Sequence, residues 1–170
     1  MNKEDVLTYH RLWVELFGIN GKMDIEGFKK WIKAIDAFPN FSPENSPVDH
    51  LFRSYDVNKK GEISFEEFLM YVSITSPSNG EVQTDKLIDV TFSMYDENYS
   101  NAASKEQFTK CMAKTFELLG YNPNEEPFNK EIEKRVKYLF KAVQHSHPNM
   151  ITLTELKESV KSNPEILKIL

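Results

Sequence analysis

The strongest constraint on the fold is a pattern of apolar residues that recurs around segments of twelve residues. Before Asp56, apolar side chains from Val48 to Tyr55 stand at intervals of three, four and seven residues. Such spacing places them on one face of an α-helix. The same intervals precede Asp96 and Gln144, and another amphipathic stretch follows each segment. The sequence therefore contains three copies of a helix–loop–helix unit, which predicts an all-α fold built from repeats.

A fourth, damaged copy of the pattern stands at the front of the chain. Trp13 and Phe17 precede a shortened loop that runs from Gly18 to Gly27, and Trp31 follows that loop. Amphipathic helices bury their apolar faces against one another, so four such units predict an all-α fold of about eight main helices. We expect two paired lobes with short β pairings between neighbouring loops.

Turn-forming residues divide the repeat into an N-terminal and a C-terminal pair. Residues 76–80 are Ser, Pro, Ser, Asn and Gly, a composition typical of a hinge. Asn163 and Pro164 suit the cap and the first turn of a helix. The predicted divisions are an N-terminal pair over 1–76, a linker over 77–85, a C-terminal pair over 86–162 and a short C-terminal helix over 163–170.

The segment from Asp56 to Glu67 has the composition of a calcium-binding loop of the EF-hand type. Ca²⁺ takes six to eight oxygen ligands, which such a loop supplies from positions 1, 3, 5, 7, 9 and 12 around a glycine at position 6. Gly61 occupies the glycine position. The predicted metal ligands are Asp56, Asn58, the backbone carbonyl of Glu62, Ser64 and Glu67. This is the near-complete member of the four loops.

Position 5 of the same loop holds Lys60, whose ammonium group has no lone pair to give. The lysine removes one ligand and adds a positive charge near the metal. Two unit charges about 4 Å apart interact by about 4 kcal/mol at an effective dielectric constant of about 20, and the long stem lets the lysine point outward. A net loss of about 1–3 kcal/mol lowers the affinity roughly tenfold to over a hundredfold. We therefore expect Ca²⁺ at this one site, bound weakly.

The loop over 96–107 is a doubtful second metal site. Its candidate ligands are Asp96, Asn98, Ser100 and Ser104. Asn101 replaces the turn glycine, which is tolerable because Asn accepts the left-handed backbone conformation. Gln107 replaces the bidentate glutamate, and a neutral amide offers one oxygen and no charge. At most a weak site is predicted there.

The other two loops are degenerate and are not expected to bind calcium. The loop over 144–155 has Gln144 at position 1 and Pro148 at position 5, and the first loop is short and lacks carboxylates at both ends. His145 and His147 are imidazoles of the kind that bind zinc or copper, but no third soft ligand accompanies them in the sequence. Solvated loop histidines are the better interpretation.

Composition and short motifs argue against several other functions and locations. A net charge of −5 without a run of Lys and Arg gives no basis for nucleic-acid binding. Cys111 is the sole cysteine, so the chain has no disulfide, which favours a reducing compartment. We expect the Cys111 side chain to be a small buried hydrophobic group. Asn2 rather than Gly follows Met1, so no myristoyl membrane anchor is expected, and we predict a cytoplasmic protein. No nucleophile–base pairing or phosphate-binding glycine loop indicates an enzyme.

Several stretches of the chain resemble the recoverin/neuronal calcium sensor family of EF-hand proteins. They are 51–56, 71–76, 92–96, 133–136 and 160–166, and the likeness covers nearly the whole chain in one order. The resemblance implies an inactive first hand, second and third hands that usually bind Ca²⁺, and a variable fourth. It also implies a hydrophobic groove for a partner helix, because Trp13 and Phe17 stand where the family has a Trp and a Phe lining that groove.

The chain has enough large apolar residues for some of them to line such a groove. The predicted groove residues are Trp13, Phe17, Trp31, Phe52, Phe68 and Tyr71. The alternative is that most of them are ordinary core, which is the favoured interpretation for Phe52 and Phe68. The apolar tail over 166–170 is a candidate to occupy the same groove in competition with a target.

Three functions remain open at this point. The first is a calcium-responsive adaptor that binds an amphipathic helix of an unidentified protein. The second is a calcium-independent EF-hand scaffold or regulatory subunit. The third is a calcium buffer, which one weak site serves poorly. In each case we expect a monomer or a weak dimer.

Overall fold

Eight α-helices account for most of the described chain in this computed structural model, which covers residues 3–35, 48–75 and 83–170. In chain order they are α1 (Lys3–Phe17), α2 (Ile25–Ala34), α3 (Val48–Tyr55), α4 (Phe65–Thr75), α5 (Thr84–Tyr95), α6 (Lys105–Leu118), α7 (Phe128–Ala142) and α8 (Leu153–Ser162). Two short strands, β1 (Ala102–Ser104) and β2 (Met150–Thr152), and a 3₁₀ helix over Pro164–Lys168 complete the described elements. The predicted all-α architecture of four helix–loop–helix hands is confirmed.

Neighbouring loops are joined by short antiparallel β pairings, as the sequence predicts. Met23 and Ile63 exchange backbone hydrogen bonds of 2.9 and 2.8 Å between the first two loops. Between the last two loops, β1 pairs with β2 and Ala103 lies opposite Ile151. All four side chains are fully buried. The apolar residue in each loop therefore both pairs the loops and anchors them to the core beneath.

The end of each loop also determines where the next helix begins. At the start of α6, Ser104 Oγ accepts the N–H of Gln107, and Gln107 Oε1 accepts the N–H of Ser104. Thr152 and Glu155 make the same reciprocal pair at the start of α8. Such a capping box satisfies two backbone N–H groups that a helix start leaves without partners. Positions 9 and 12 of the loops are thus helix-capping positions as well as candidate ligands.

Each lobe has its own apolar core. The N-terminal core consists of Trp13, Met23, Phe28, Trp31, Ile32, Val48, Phe52, Ile63 and Phe68. The C-terminal core consists of Ile88, Phe92, Tyr95, Ala103, Phe108, Cys111, Met112, Ile132, Val136, Leu139, Val143, Ile151, Leu156, Val160 and Ile166. Burial raises the pKa of the Cys111 thiol to about 12, as suits a small hydrophobe rather than a reactive thiol.

The C-terminal tail packs on the C-terminal lobe. Ile166 is fully buried there, and Leu167, Ile169 and Leu170 pack against the same core. The Tyr95 hydroxyl donates a 2.8 Å hydrogen bond to the carbonyl of Leu170. The expectation that the tail occupies the groove beside Trp13 and Trp31 is wrong. The segment folds as a 3₁₀ helix directly after α8 and packs on the core of the C-terminal lobe instead.

The predicted linker over 77–85 lies largely outside the described residues. Residues 76–82, which include the proposed hinge, are not described, and α5 already begins at Thr84. The division into an N-terminal and a C-terminal pair at this segment stays a prediction.

Replacing the buried tail residue tests whether the tail is part of the core. Ile166→Ala should lower the free energy of unfolding by about 2–5 kcal/mol, because it removes buried methyl groups and leaves a cavity. Leu119→Ala is the matched control, since Leu119 is 58% exposed and its truncation should change stability by no more than about 0.5 kcal/mol. Urea unfolding followed by circular dichroism measures both. Equal, small effects would show that the tail is not anchored in the core.

Candidate metal centre

The loop between α3 and α4 has the backbone shape of a calcium loop. Lys59 and Gly61 both have a positive φ, of 56° and 74°. A Cβ at Gly61 would meet nothing within 4 Å, so the left-handed backbone, rather than lack of space, favours glycine at this position. The turn brings the two ends of the loop, Asp56 and Glu67, to its inner side, where they are only 1% and 8% exposed.

Asp56 organises the first half of the loop. Its Oδ1 accepts the N–H of Lys60 at 2.9 Å, and its Oδ2 accepts the N–H of Gly61 at 2.8 Å. A carboxylate that receives backbone N–H groups in this way holds the turn in place and keeps its charge partly satisfied. The side chain of Lys60 itself is exposed, so the lysine at position 5 does not fill the ligand position that it replaces.

Glu67 closes the loop from its other end. Its Oε1 accepts the N–H of Asn58 at 3.1 Å, and its Oε2 accepts the N–H of Ser64 at 2.9 Å. The hydroxyl of Ser64 accepts the N–H of Glu67 in return, at 3.2 Å, which caps α4. Glu67 therefore connects the entry to the loop with the start of the helix that leaves it.

These residues match calcium by the chemistry of their oxygen donors. Asp56 and Glu67 are buried carboxylates that accept only backbone N–H groups, and neither forms an ion pair with a basic side chain in the described ranges. The other predicted ligands are carbonyl, amide and hydroxyl oxygens, which are hard donors of the kind that Ca²⁺ prefers. Within 3–35, 48–75 and 83–170, no group of three or more His, Cys, Asp or Glu side chains is arranged to hold a metal.

The other predicted ligands occupy different positions. Asn58 is exposed at the rim of the loop, and the Glu62 carboxylate pairs with Lys22 of the first loop rather than facing inward. The prediction for Glu62 concerns only its backbone carbonyl, so this ion pair leaves that role untouched. The assignment of Asp56, Asn58, Glu62, Ser64 and Glu67 to a metal stays a prediction.

The loop over 96–107 repeats the first half of this arrangement. Asp96 Oδ1 accepts the N–H and the hydroxyl of Ser100, and Asp96 Oδ2 accepts the N–H of Asn101 at 2.7 Å. Asn101 has a φ of 59°, the left-handed conformation expected of a residue that replaces the turn glycine. The second half differs, because Gln107 Oε1 is taken up by the N–H of Ser104. No second carboxylate closes this loop, and the weak site with Asn98 as a further ligand stays a prediction.

The fourth loop is held together by its own hydrogen bonds. Glu155 Oε1 accepts the N–H and the hydroxyl of Ser146, both at 2.7 Å, while Oε2 accepts the N–H and the hydroxyl of Thr152. These donors, led by the N–H of Thr152 and the hydroxyl of Ser146, lower the pKa of Glu155 to about 2. The two ring nitrogens of His145 lie 2.7 and 2.9 Å from the carbonyls of His147 and Phe140. His145 is therefore a structural residue, not a purely solvated one.

The predicted groove residues lie mostly inside the N-terminal core. Trp13, Trp31, Phe52 and Phe68 are 1%, 4%, 6% and 2% exposed, and Phe17 and Tyr71 are half-buried. The indole N–H of Trp13 donates to the carbonyl of Gly21 at 3.1 Å. In this conformation the aromatic cluster is closed, and it becomes a groove only if the helices move apart. Its role in partner binding stays a prediction.

A buried polar contact between α3 and α5 escaped the sequence reasoning. His50 Nδ1 lies 2.8 Å from the carbonyl oxygen of Met94 and 2.7 Å from Arg53 Nη2. Arg53 also donates to the carbonyls of Met94 at 3.0 Å and of Ser93 at 3.4 Å. Because Arg53 and His50 belong to the second hand and the carbonyls to the third, these bonds join the two lobes. Arg and His side chains are usually exposed, so nothing in the sequence indicates that these two form a buried contact.

Comparison with known proteins agrees with this architecture. No protein-family model matches the chain. Human recoverin is 24% identical over 141 residues, which cover 78% of this chain and 67% of recoverin. Neuronal calcium sensor 1 of Lymnaea stagnalis is 26% identical over 154 residues, which cover 89% of this chain and 75% of that protein. Visinin of Gallus gallus is 24% identical over 138 residues, which cover 78% of this chain and 68% of visinin.

The chain is similar to proteins of the recoverin/neuronal calcium sensor type at 22–26% identity. The resemblance read from the sequence is thereby confirmed. None of these relatives is named for a catalytic activity, which agrees with the expectation that the chain is not an enzyme. In the described part of the chain, no helix has the length and apolar character required to cross a bilayer.

The joint between the lobes should make stability depend on pH. Burial lowers the pKa of His50 from its ordinary value of 6.5, although the Met94 carbonyl works against this shift. Below about pH 6.5 the unfolded chain then binds more protons than the folded one, so the free energy of unfolding falls as the pH drops toward the lowered pKa. We expect a shallower fall for His50→Gln in urea titrations between about pH 7.5 and 5.5. Parallel slopes for the wild type and His50→Gln would contradict the assignment.

Proposed function

We propose that the chain is a calcium-responsive regulatory protein that binds one Ca²⁺ in the loop over 56–67. The observation that supports this most directly is the pair of buried carboxylates, Asp56 and Glu67, at opposite ends of that loop. Two buried carboxylates that form no ion pair within the described residues favour a divalent cation. Kinship with neuronal calcium sensor 1, a protein named for sensing calcium, supports the same conclusion.

Glu67 supplies the physical link between metal and helix. It lies in the first turn of α4 and also accepts the N–H of Asn58 across the loop. Ca²⁺ competes with the N–H groups of Asn58 and Ser64 for the oxygens of Glu67, so binding changes the contacts that hold the start of α4. The buried ring of Phe68, one residue further along, packs against Trp13 and Trp31. A shift of α4 therefore opens the aromatic cluster.

The opened cluster is suited to an amphipathic helix of a partner protein. Large aromatic side chains such as Trp13, Trp31 and Phe68 offer apolar anchoring surface at little conformational cost. The net charge of −5 favours a helix whose polar face is basic. Cytoplasmic residence belongs to the same proposal, since the lone Cys111 is buried and pairs with no other cysteine.

The C-terminal lobe favours a second candidate function, that of a calcium-independent scaffold. The fourth loop is closed by Glu155 through four hydrogen bonds from protein groups, which leave it little need of a metal. The third loop places Gln107 where a second carboxylate is needed. We therefore assign any calcium response to the N-terminal lobe and a fixed structural role to the C-terminal lobe. A pure calcium buffer is the least suitable function for a single weak site.

Calcium affinity should respond to two changes in the same loop in opposite directions. In calorimetric titrations, Glu67→Gln should abolish measurable binding, because a bidentate charged ligand becomes a neutral one. Lys60→Asp should bind roughly tenfold to a hundredfold more tightly than wild type, because it restores the missing ligand and removes the repelling charge.

Glu62→Gln is the matched control for these titrations. It removes the same charge from the same loop, but only the backbone carbonyl of Glu62 is a predicted ligand, so affinity should change by about threefold or less. If neither the wild type nor Lys60→Asp releases heat at millimolar calcium, the calcium-responsive function is wrong and the scaffold function remains.

Opening of the aromatic cluster should be visible in tryptophan fluorescence. Ca²⁺ should shift the emission of the wild type to longer wavelength and increase quenching by acrylamide, because Trp13 and Trp31 leave a dry core. Under the same conditions, a synthetic amphipathic helix made of Leu and Lys should bind more tightly with Ca²⁺ than with chelator. Glu67→Gln should show neither change. Heat of calcium binding without any spectral change would indicate a structural metal rather than a switch.

A further inference from the structure

A cavity of about 270 Å³ lies between the two lobes, beside the contact of α3 with α5. Its apolar walls come from three helices of both lobes: Met70 and Ile74 of α4, Val90 of α5 and Leu153 of α8. Partly open clefts with apolar walls at the junction of two structural units are a common setting for small-ligand sites. The cavity borders the loop over 56–67, but the calcium function proposed for that loop requires no ligand in it, and the aromatic cluster does not line it.

The polar part of the cavity wall is positively charged. Arg53, Lys59 and Lys86 line it, and none of the three forms an ion pair with a carboxylate of the described residues. The Nε and Nη2 atoms of Arg53 contact backbone carbonyls and His50, whereas its Nη1 donates to none of the described residues. Lys59 Nζ donates to the carbonyl of Tyr99 at 3.2 Å.

The two carboxylates of the cavity wall already have partners. Asp56 accepts the N–H groups of Lys60 and Gly61, as described above. Asp89 Oδ1 lies 2.5 Å from Lys157 Nζ. Asp89 is thus balanced by Lys157, whereas Asp56 keeps its negative charge and is outnumbered by the three basic side chains of the wall. The cavity is complementary to a negative charge.

We propose that this cavity binds a small amphipathic anion, a carboxylate carried on a short hydrocarbon chain. The hydrocarbon part contacts Met70, Ile74 and Val90, and the carboxylate lies toward Arg53 and Lys86. Guanidinium and ammonium groups form charge-assisted hydrogen bonds to carboxylates, and these are stronger where the site excludes water. Neither the apolar wall nor the basic wall alone would select such a molecule; their juxtaposition does.

Occupation of the cavity is coupled to the calcium loop. Asp56 and Lys59 belong to that loop and also line the cavity. An anion beside Lys59 reduces the positive potential felt by a metal in the loop, so each ligand should tighten the binding of the other. Thermodynamic linkage requires the two effects on affinity to be equal.

Octanoate is a suitable probe, used with the full chain in chelator so that calcium binding has no influence on the result. Calorimetry should detect octanoate binding, and 1-octanol and octylamine, which have the same chain length, should bind more weakly. The double variant Lys59→Gln/Lys86→Gln should weaken octanoate about three- to tenfold, as expected for two partly exposed charge pairs. The methyl NMR signals of Ile74 and Val90 should shift on addition of octanoate.

The control variant is Lys137→Gln together with Lys141→Gln, which removes two exposed charges of α7 away from the cavity wall. It should bind octanoate like the wild type. The proposal is overturned if octanoate does not bind, if octanol binds as tightly as octanoate, or if both double variants lose affinity equally. Because these measurements contain no calcium, their failure leaves the proposed calcium function untouched, and the reverse also holds.

Discussion

The structure depends on one recurring contact, in which the last residue of a loop accepts the N–H of the residue that caps the next helix. Glu67, Gln107 and Glu155 make this contact at the starts of α4, α6 and α8. It solves a local problem, since a helix start leaves backbone N–H groups without partners. The same residues hold position 12 of a metal loop, so calcium ligation and helix capping draw on a single side chain.

The capacity of each loop to bind a metal depends on which groups donate hydrogen bonds to the second oxygen of that side chain. Glu67 and Glu155 reach across the loop to the N–H at position 3, in Asn58 and Ser146. Ser146 adds a hydroxyl, so the fourth loop is satisfied without an ion. Gln107 has only one oxygen, already used by the cap, and its loop is tied by Asp96 alone. Among the three, the second loop is the one with two buried carboxylates that remain supported by backbone N–H groups only.

The repeat, the helix positions and the loop pairings were predictable because each is encoded locally. Apolar spacing before Asp56, Asp96 and Gln144 specifies helices, and Ile63 and Ile151 specify where loops pair. The joint between α3 and α5 was not predictable, because Arg53 binds backbone carbonyls, and any residue type can provide a carbonyl. The docking of Ile166 was misjudged for a related reason: an apolar tail specifies burial but does not specify against which lobe.

The hydrogen bond from Trp13 to Gly21 gives the two hands of the N-terminal lobe unequal freedom. It ties the shortened first loop to its own entering helix, while the same indole ring packs in a tilted arrangement against Phe65 and Phe68 of α4, with ring centroids 5.4 and 5.5 Å away. One side chain is thus hydrogen-bonded to one hand and packed against the other. A displacement of α4 would therefore break ring contacts of Trp13 while leaving its hydrogen bond to the first loop in place, so Trp13 lies at the boundary between the two hands.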